Sequence, residues 1–165
     1  MRPSSAVHPA YLAAFTELVQ RIAAPLQGLP RRSLPIKMYV AGGAALHLYT
    51  AERISNDVDA VFSKRIVLSD NLEVTYRDPD GIDASVLEVR LLSALDLAVS
   101  KISRLSSEDR NDIIALAKHG LIQSAALRRR SQQAMDNYVG NTETLRGGID
   151  IACRLVEDIE QRNSR

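Results

Sequence analysis

Between Tyr39 and Phe62 the chain runs from an apolar stretch through Gly42-Gly43 and a set of helix formers to two aspartates, Asp57 and Asp59, that alternate with Val58 and Ala60. This order restricts the fold more than any other part of the sequence. Ile36 to Ala41 is short, apolar and β-compatible, so it reads as a buried strand. Gly42-Gly43 reads as the turn, Ala44 to Ala51 as a short helix, and Asp57 to Phe62 as a second strand. Carboxylates two positions apart on a strand point the same way, with Cα atoms roughly 6.7 Å apart. That arrangement suits oxygen ligation of one Mg²⁺, or of two about 3.5–4 Å apart. A glycine pair at a helix start lets phosphate oxygens approach the backbone N–H groups closely. Taken singly, each motif also has a plain reading: two solvent-facing acids on a strand, and a tight strand-to-helix turn.

The rest of the pattern surrounds this segment with helices. Pro9 suits a first helical turn, and Leu12, Phe15, Leu18, Val19, Ile22 and Leu26 recur at helical spacing, which predicts a helix over 9–26. Gly28, Pro30 and Pro35 break the chain after it. Leu72 to Tyr76 and Val86 to Leu91 read as further strands, separated by the turn composition Asp78-Pro-Asp-Gly81. Everything after Ser93 reads as helical. Ser93 with Asp96, and Ser106 with Asp109, match the capping pattern and predict helices near 94–104 and 107–119. Two more are expected over 123–138 and from Asn141 to about 162. The fold class is therefore α+β, a small sheet with flanking helices and further helices gathered at the C-terminal end.

Composition excludes several classes. The chain has 165 residues, a net charge of +1, and 4% aromatic residues with no Trp, so its core is aliphatic. A charge this small gives no global electrostatic case for nucleic acid. Arg128-Arg129-Arg130, the one basic cluster, reads as a solvated helix face. The single Cys153 allows no disulfide within the chain and reads as buried packing. No stretch approaches the roughly 20 apolar residues of a membrane span, and a cytoplasmic location with no membrane partner is expected. His47 reads as a packed helix histidine, and nothing in the sequence suggests a zinc site.

The combination of an apolar residue, Gly42, Gly43, a helix, Arg53, Ser55, Asp57 and Asp59 resembles the DNA polymerase β-type nucleotidyltransferase superfamily, in its minimal bacterial form. A second block, Leu95 to Arg104 followed by Asp109-Arg110-Asn111-Asp112-Ile113, is similar to the helical segment of AbiEii/AbiGii toxin-like nucleotidyltransferases. The resemblance implies a small mixed β-sheet nucleotidyltransferase core with its N-terminal helix over residues 1–92. A C-terminal helical bundle, residues 93–165, would pack on it. It implies that Asp57 and Asp59 are catalytic and hold Mg²⁺, and that Gly42, Gly43, Arg53, Ser55, Lys101 and Arg104 contact the nucleotide. The implied partners are a nucleoside triphosphate, an RNA such as tRNA, and a cognate antitoxin protein. The chain departs from the pattern at the third acid that activates an acceptor hydroxyl: Asp83, Glu88 and Glu73 remain as candidates, none in a familiar context. The expected function is thus Mg²⁺-dependent transfer of a nucleoside monophosphate to a hydroxyl. The alternative is a nucleotide- or protein-binding member of the same fold without transferase activity.

Overall fold

The first helix, α1 (Pro9–Leu26), begins where the sequence sets it. His8 caps it, its Nδ1 accepting from the Ala10 N–H at 3.2 Å, and Pro9 occupies the first turn. Phe15, Val19 and Ala23, four residues apart, form its buried stripe. This is a computed structural model, and it describes residues 4, 6–63, 73–75 as backbone, 83–136, 138 and 141–164. These divide into two units, Met1–Ser93 and Ala94–Arg165.

In the first unit, β1 (Ile36–Val40) leads directly into α2 (Gly42–Thr50). Gly42 and Gly43 therefore form the first turn of the helix rather than a loop before it. Every residue of α2 from Gly43 to Thr50 is buried, as expected of a helix that is apolar on all sides. The strands β2 (Ala60–Phe62), β3 (Glu73–Thr75) and β4 (Leu87–Leu92) complete a mixed sheet in the order β2-β1-β4-β3. β1 pairs antiparallel with β2 and parallel with β4, and β3 with β4 is antiparallel. Met38 and Val40 on β1 face the same side as Leu87, Val89 and Leu91 on β4, and all five are buried. Tyr49, near the end of α2, donates its hydroxyl to the Leu92 carbonyl at 3.1 Å and ties the helix to β4. Burial pushes its phenol up to about 12.

The α+β expectation holds. One correction concerns β2, which begins at Ala60, so Asp57 and Asp59 lie in the approach to the strand and not on it. The turn expected at 78–81 lies outside the described residues, as do Leu72 and Tyr76.

The second unit is helical throughout: α3 (Ala94–Ile102), α4 (Ser107–Lys118), α5 (Ser124–Met135) and α6 (Thr142–Asn163). Leu97, Ala98, Ile113, Leu116, Leu127, Ala152, Cys153 and Val156 form its core. α3 meets α5 through an Arg130–Asp96 ion pair at 2.8 Å, and α5 meets α6 through Arg128–Asp150 at 2.7 Å. The three-arginine run is therefore split between two helix contacts, not spread over one solvated face. Cys153 is buried, as expected. No helix among the described residues is long and apolar enough to cross a membrane.

His47 is 2% exposed and stacks edge-on against Tyr11 of α1, ring centroids 4.4 Å apart. Burial pushes its imidazole below the ordinary value, against a smaller upward pull from the Arg53 backbone. A histidine held neutral in the folded state favours folding fully above its unfolded pKa of about 6.5, and this contribution is lost as pH falls through the lower folded value. Urea unfolding should therefore show a lower midpoint at about pH 5.5 than at about pH 7.5, with the difference reduced in His47→Leu.

Candidate functional site

The glycine pair is where the sequence-predicted residues meet. Gly42 adopts φ +60°, a conformation that L side chains rarely take. The space its Cβ would fill is occupied by the carboxylate of Asp59. A Cβ on Gly43 would lie 2.7 Å from the Ser55 hydroxyl and 3.0 Å from Arg53 Nη2. Ser55 in turn donates its hydroxyl to Asp57 Oδ1 at 2.5 Å. The Ala41 N–H donates to the Asp59 carbonyl at 2.8 Å, which anchors the approach to β2 against the end of β1. Arg53, Ser55 and Asp59 all reach the glycine pair, while Ser55 holds Asp57.

The electrostatics suit an anion beside a cation. No side chain caps the start of α2, and its first backbone bond within the helix is Ala45 N–H to the Ala41 carbonyl. The N–H groups of Gly42, Gly43 and Ala44 therefore lie at the positive end of the helix dipole, beside the Arg53 guanidinium. A guanidinium matches the geometry of phosphate oxygens. Asp57 and Asp59 are exposed and are the residues that could hold a divalent cation. Among the described residues no group of three or more carboxylate, histidine or cysteine ligands gathers at one point. Mg²⁺ fits such a donor set, because it takes one or two carboxylates and completes its shell with phosphate and water.

Two of the third-acid candidates are placed elsewhere. Glu88 pairs with Arg90 at 2.8 Å and sits opposite Lys37 on β1. Asp59 is level with Ala41, four residues further along β1, or about 13 Å at the rise of a strand. Asp83 is held by Ser85, whose N–H and hydroxyl donate to it at 2.9 and 2.6 Å. Glu73, on β3, is in register with Leu92 of β4, and the register puts its backbone level with the Ala41–Asp59 end of the sheet; its side chain lies outside the described residues.

The second block forms a charge cluster joining α3 to α4. Lys101, 7% exposed, places Nζ 2.6 Å from Asp112 Oδ2 and 3.8 Å from Asp109 Oδ1. Arg104 makes two parallel bonds to Asp109, Nε to Oδ2 at 2.7 Å and Nη2 to Oδ1 at 2.8 Å. Asp109 also completes the capping box with Ser106 that the sequence predicts. The Arg104 bonds and those from Ser106 hold the Asp109 carboxyl well below the usual range against the opposing effect of burial. From the sequence, Lys101 and Arg104 could also be read as a solvent-facing pair beside Asp109 and Asp112 that links two helices electrostatically; the link is present, and what sequence reasoning missed is that Lys101 is buried in it.

Residues 70–147 match the model of a family described as nucleotidyltransferase of unknown function (DUF6036). That match supports the nucleotidyltransferase superfamily. It takes in β4 and the Lys101–Asp112 block and stops short of the Gly42–Asp59 cluster, so the two ends of the resemblance rest on separate stretches of chain. No curated protein and no solved structure matches the chain.

Two sets of variants test these placements. Gly42→Ala forces a methyl into the Asp59 carboxylate at positive φ and should cost about 2 kcal/mol or more. Gly43→Ala adds no strain from φ but brings its methyl 2.9 Å from Ser55 Cβ, which moves only with its backbone, so it should also destabilise, as read from thermal unfolding. Asp109→Asn removes one partner from a buried charge cluster and should cost about 3 kcal/mol in guanidinium unfolding. Because the folded carboxyl is held low, the Asp109 contribution is present above about pH 4 and is lost as pH falls through the folded value.

Proposed function

We propose that this chain is a Mg²⁺-dependent nucleotidyltransferase that moves a nucleoside monophosphate from a nucleoside triphosphate to a hydroxyl acceptor. The observation that carries the reading is the convergence of Arg53, Ser55 and Asp59 on Gly42-Gly43, with Asp57 held by Ser55. The uncapped N–H groups of α2 and the Arg53 guanidinium would hold the triphosphate oxygens. Ser55 would keep Asp57 oriented, and the approach of Asp59 to Gly42 would keep the second carboxylate at the same mouth. Mg²⁺ held by Asp57 and Asp59 would neutralise charge on the phosphates and lower the pKa of the attacking hydroxyl. In the transfer the acceptor oxygen bonds to the α-phosphorus as its proton passes to solvent, the bond from the α-phosphorus to the oxygen bridging to the β-phosphorus breaks, and pyrophosphate leaves. Positioning and charge neutralisation do the catalysis, with no protein nucleophile.

Lys101 and Arg104 belong to this reading as residues oriented by Asp112 and Asp109, with the nucleotide phosphates as their partners on binding. The likeness of the second block to AbiEii/AbiGii-type proteins supports a cytoplasmic toxin, partnered by an antitoxin protein, with an RNA end such as that of tRNA as acceptor. A second reading, a nucleotide-binding member without transferase activity, is favoured by one observation. Glu88 and Asp83 are both engaged away from the Asp57–Asp59 mouth.

Incubation with Mg²⁺, each labelled nucleoside triphosphate and total cellular RNA separates the two. The enzyme reading expects label in RNA, lowered about a hundredfold or more in Asp57→Ala and in Asp59→Ala. Full transfer by either variant would sink the metal assignment. A rise in melting temperature with Mg²⁺ and nucleotide, without transfer to RNA or to protein fractions, would favour the binding reading.

A further inference from the structure

Beside the phosphate cluster lies a pocket of about 300 Å³ that no part of the triphosphate reading uses. One wall is α1, through Tyr11, Ala14 and Leu18; the other is the 54–58 segment, through Ile54, Ser55 and Asn56. Its walls are mainly apolar, and Leu18 and Ile54 are 38% and 60% exposed, high for residues of their type. Two lining residues connect it to the candidate site. Ser55 touches Gly43 and bonds to Asp57. Tyr11 lies within reach of the Asp57 charge, which adds to the effect of burial in raising its phenol. The Tyr11 hydroxyl is itself buried and has no hydrogen-bond partner among the described residues.

We infer that this pocket receives the base of the nucleotide whose phosphates lie at Gly42-Gly43, so that α1 supplies the base-binding wall. The inference rests on the triphosphate reading above and extends it. A nucleobase is flat and apolar on its faces and carries hydrogen-bonding groups on its edge. Apolar walls suit the faces, and the Asn56 amide suits the edge. The volume is at the lower end of small-ligand pockets, which fits one nucleoside and not a folded macromolecule. Continuity through Ser55 places it beside the phosphates, where the rest of the same molecule must lie.

Calorimetric titration of the full chain compares Mg²⁺-bound nucleoside triphosphates with Mg²⁺-bound inorganic tripolyphosphate. Ala14 and Leu18 are exposed on α1, so Ala14→Phe fills the pocket and Leu18→Asp charges its wall without entering the core. At least one nucleoside triphosphate should bind wild type about tenfold or more tighter than tripolyphosphate. Both variants, at unchanged melting temperature, should lose that advantage while tripolyphosphate binding stays within about twofold. Equal binding of the two ligands to wild type, or nucleotide affinity unaltered in both variants, overturns the base pocket and leaves the phosphate site standing. Variants that change only the KM for the acceptor assign the pocket to the acceptor and overturn it equally. If neither ligand binds wild type, the phosphate reading fails, and the base pocket fails with it.

Discussion

The carboxylate of Asp59 stands where a side chain on residue 42 would have to be. That single close approach explains why the first turn of α2 opens on a glycine at positive φ. It also explains why the approach to β2 lies flush against the end of β1, and how an acid comes to sit at an uncapped helix start. A carboxylate at the positive end of a helix is favourable in itself. Here it shares that place with Arg53 and Ser55, which crowd the neighbouring glycine from the other side. The cluster thus presents negative and positive groups within one small patch, as required to hold a phosphate and its counter-cation together. Lengthening either glycine by one carbon displaces a member of the set.

The second unit uses charge differently. Lys101, Asp109 and Asp112 are buried and satisfy one another, and Arg104 reaches in from the surface to complete Asp109. Removing one charge from such a cluster leaves others buried without compensation, and this makes the loss expensive. The same contacts hold α3 against α4 and fix the side-chain directions of a Lys and an Arg that the family resemblance assigns to the nucleotide. Structural bracing and a positioned cation are compatible uses of one cluster, because an ammonium has three donors and Asp112 engages it closely while Asp109 is more distant.

Much of this was legible along the chain. Pro9 and the apolar spacing of α1 located that helix to the residue, since start signals and periodicity agreed there. Ser106 and Asp109 announced α4 through a purely local pair of bonds. The Gly42–Asp59 set was recognisable because its members lie within one stretch and their chemistry constrains their order. The strand extent failed at Asp57: alternation alone suggested a strand, but Ser55 binds Asp57 and regular pairing starts only at Ala60. Contacts between distant elements left no local sign. The split of Arg128 and Arg130 between Asp150 and Asp96, the stacking of Tyr11 on His47, and the pocket under α1 all depend on which helix faces which. Hydrophobic periodicity predicts that a face is buried, and not against what.

The claim at the centre of this account is that a Mg²⁺-bound triphosphate is held at the Gly42–Asp59 mouth. The most direct test is nuclear magnetic resonance of the ¹⁵N-labelled chain, titrated with Mg²⁺ and a non-hydrolysable nucleoside triphosphate. The account predicts saturable shifts of the Gly42, Gly43, Ala44 and Ser55 amides, lost when Asp57 and Asp59 are both changed to alanine. Saturable shifts that leave those four amides unmoved, or that persist unaltered in the double variant, would contradict it.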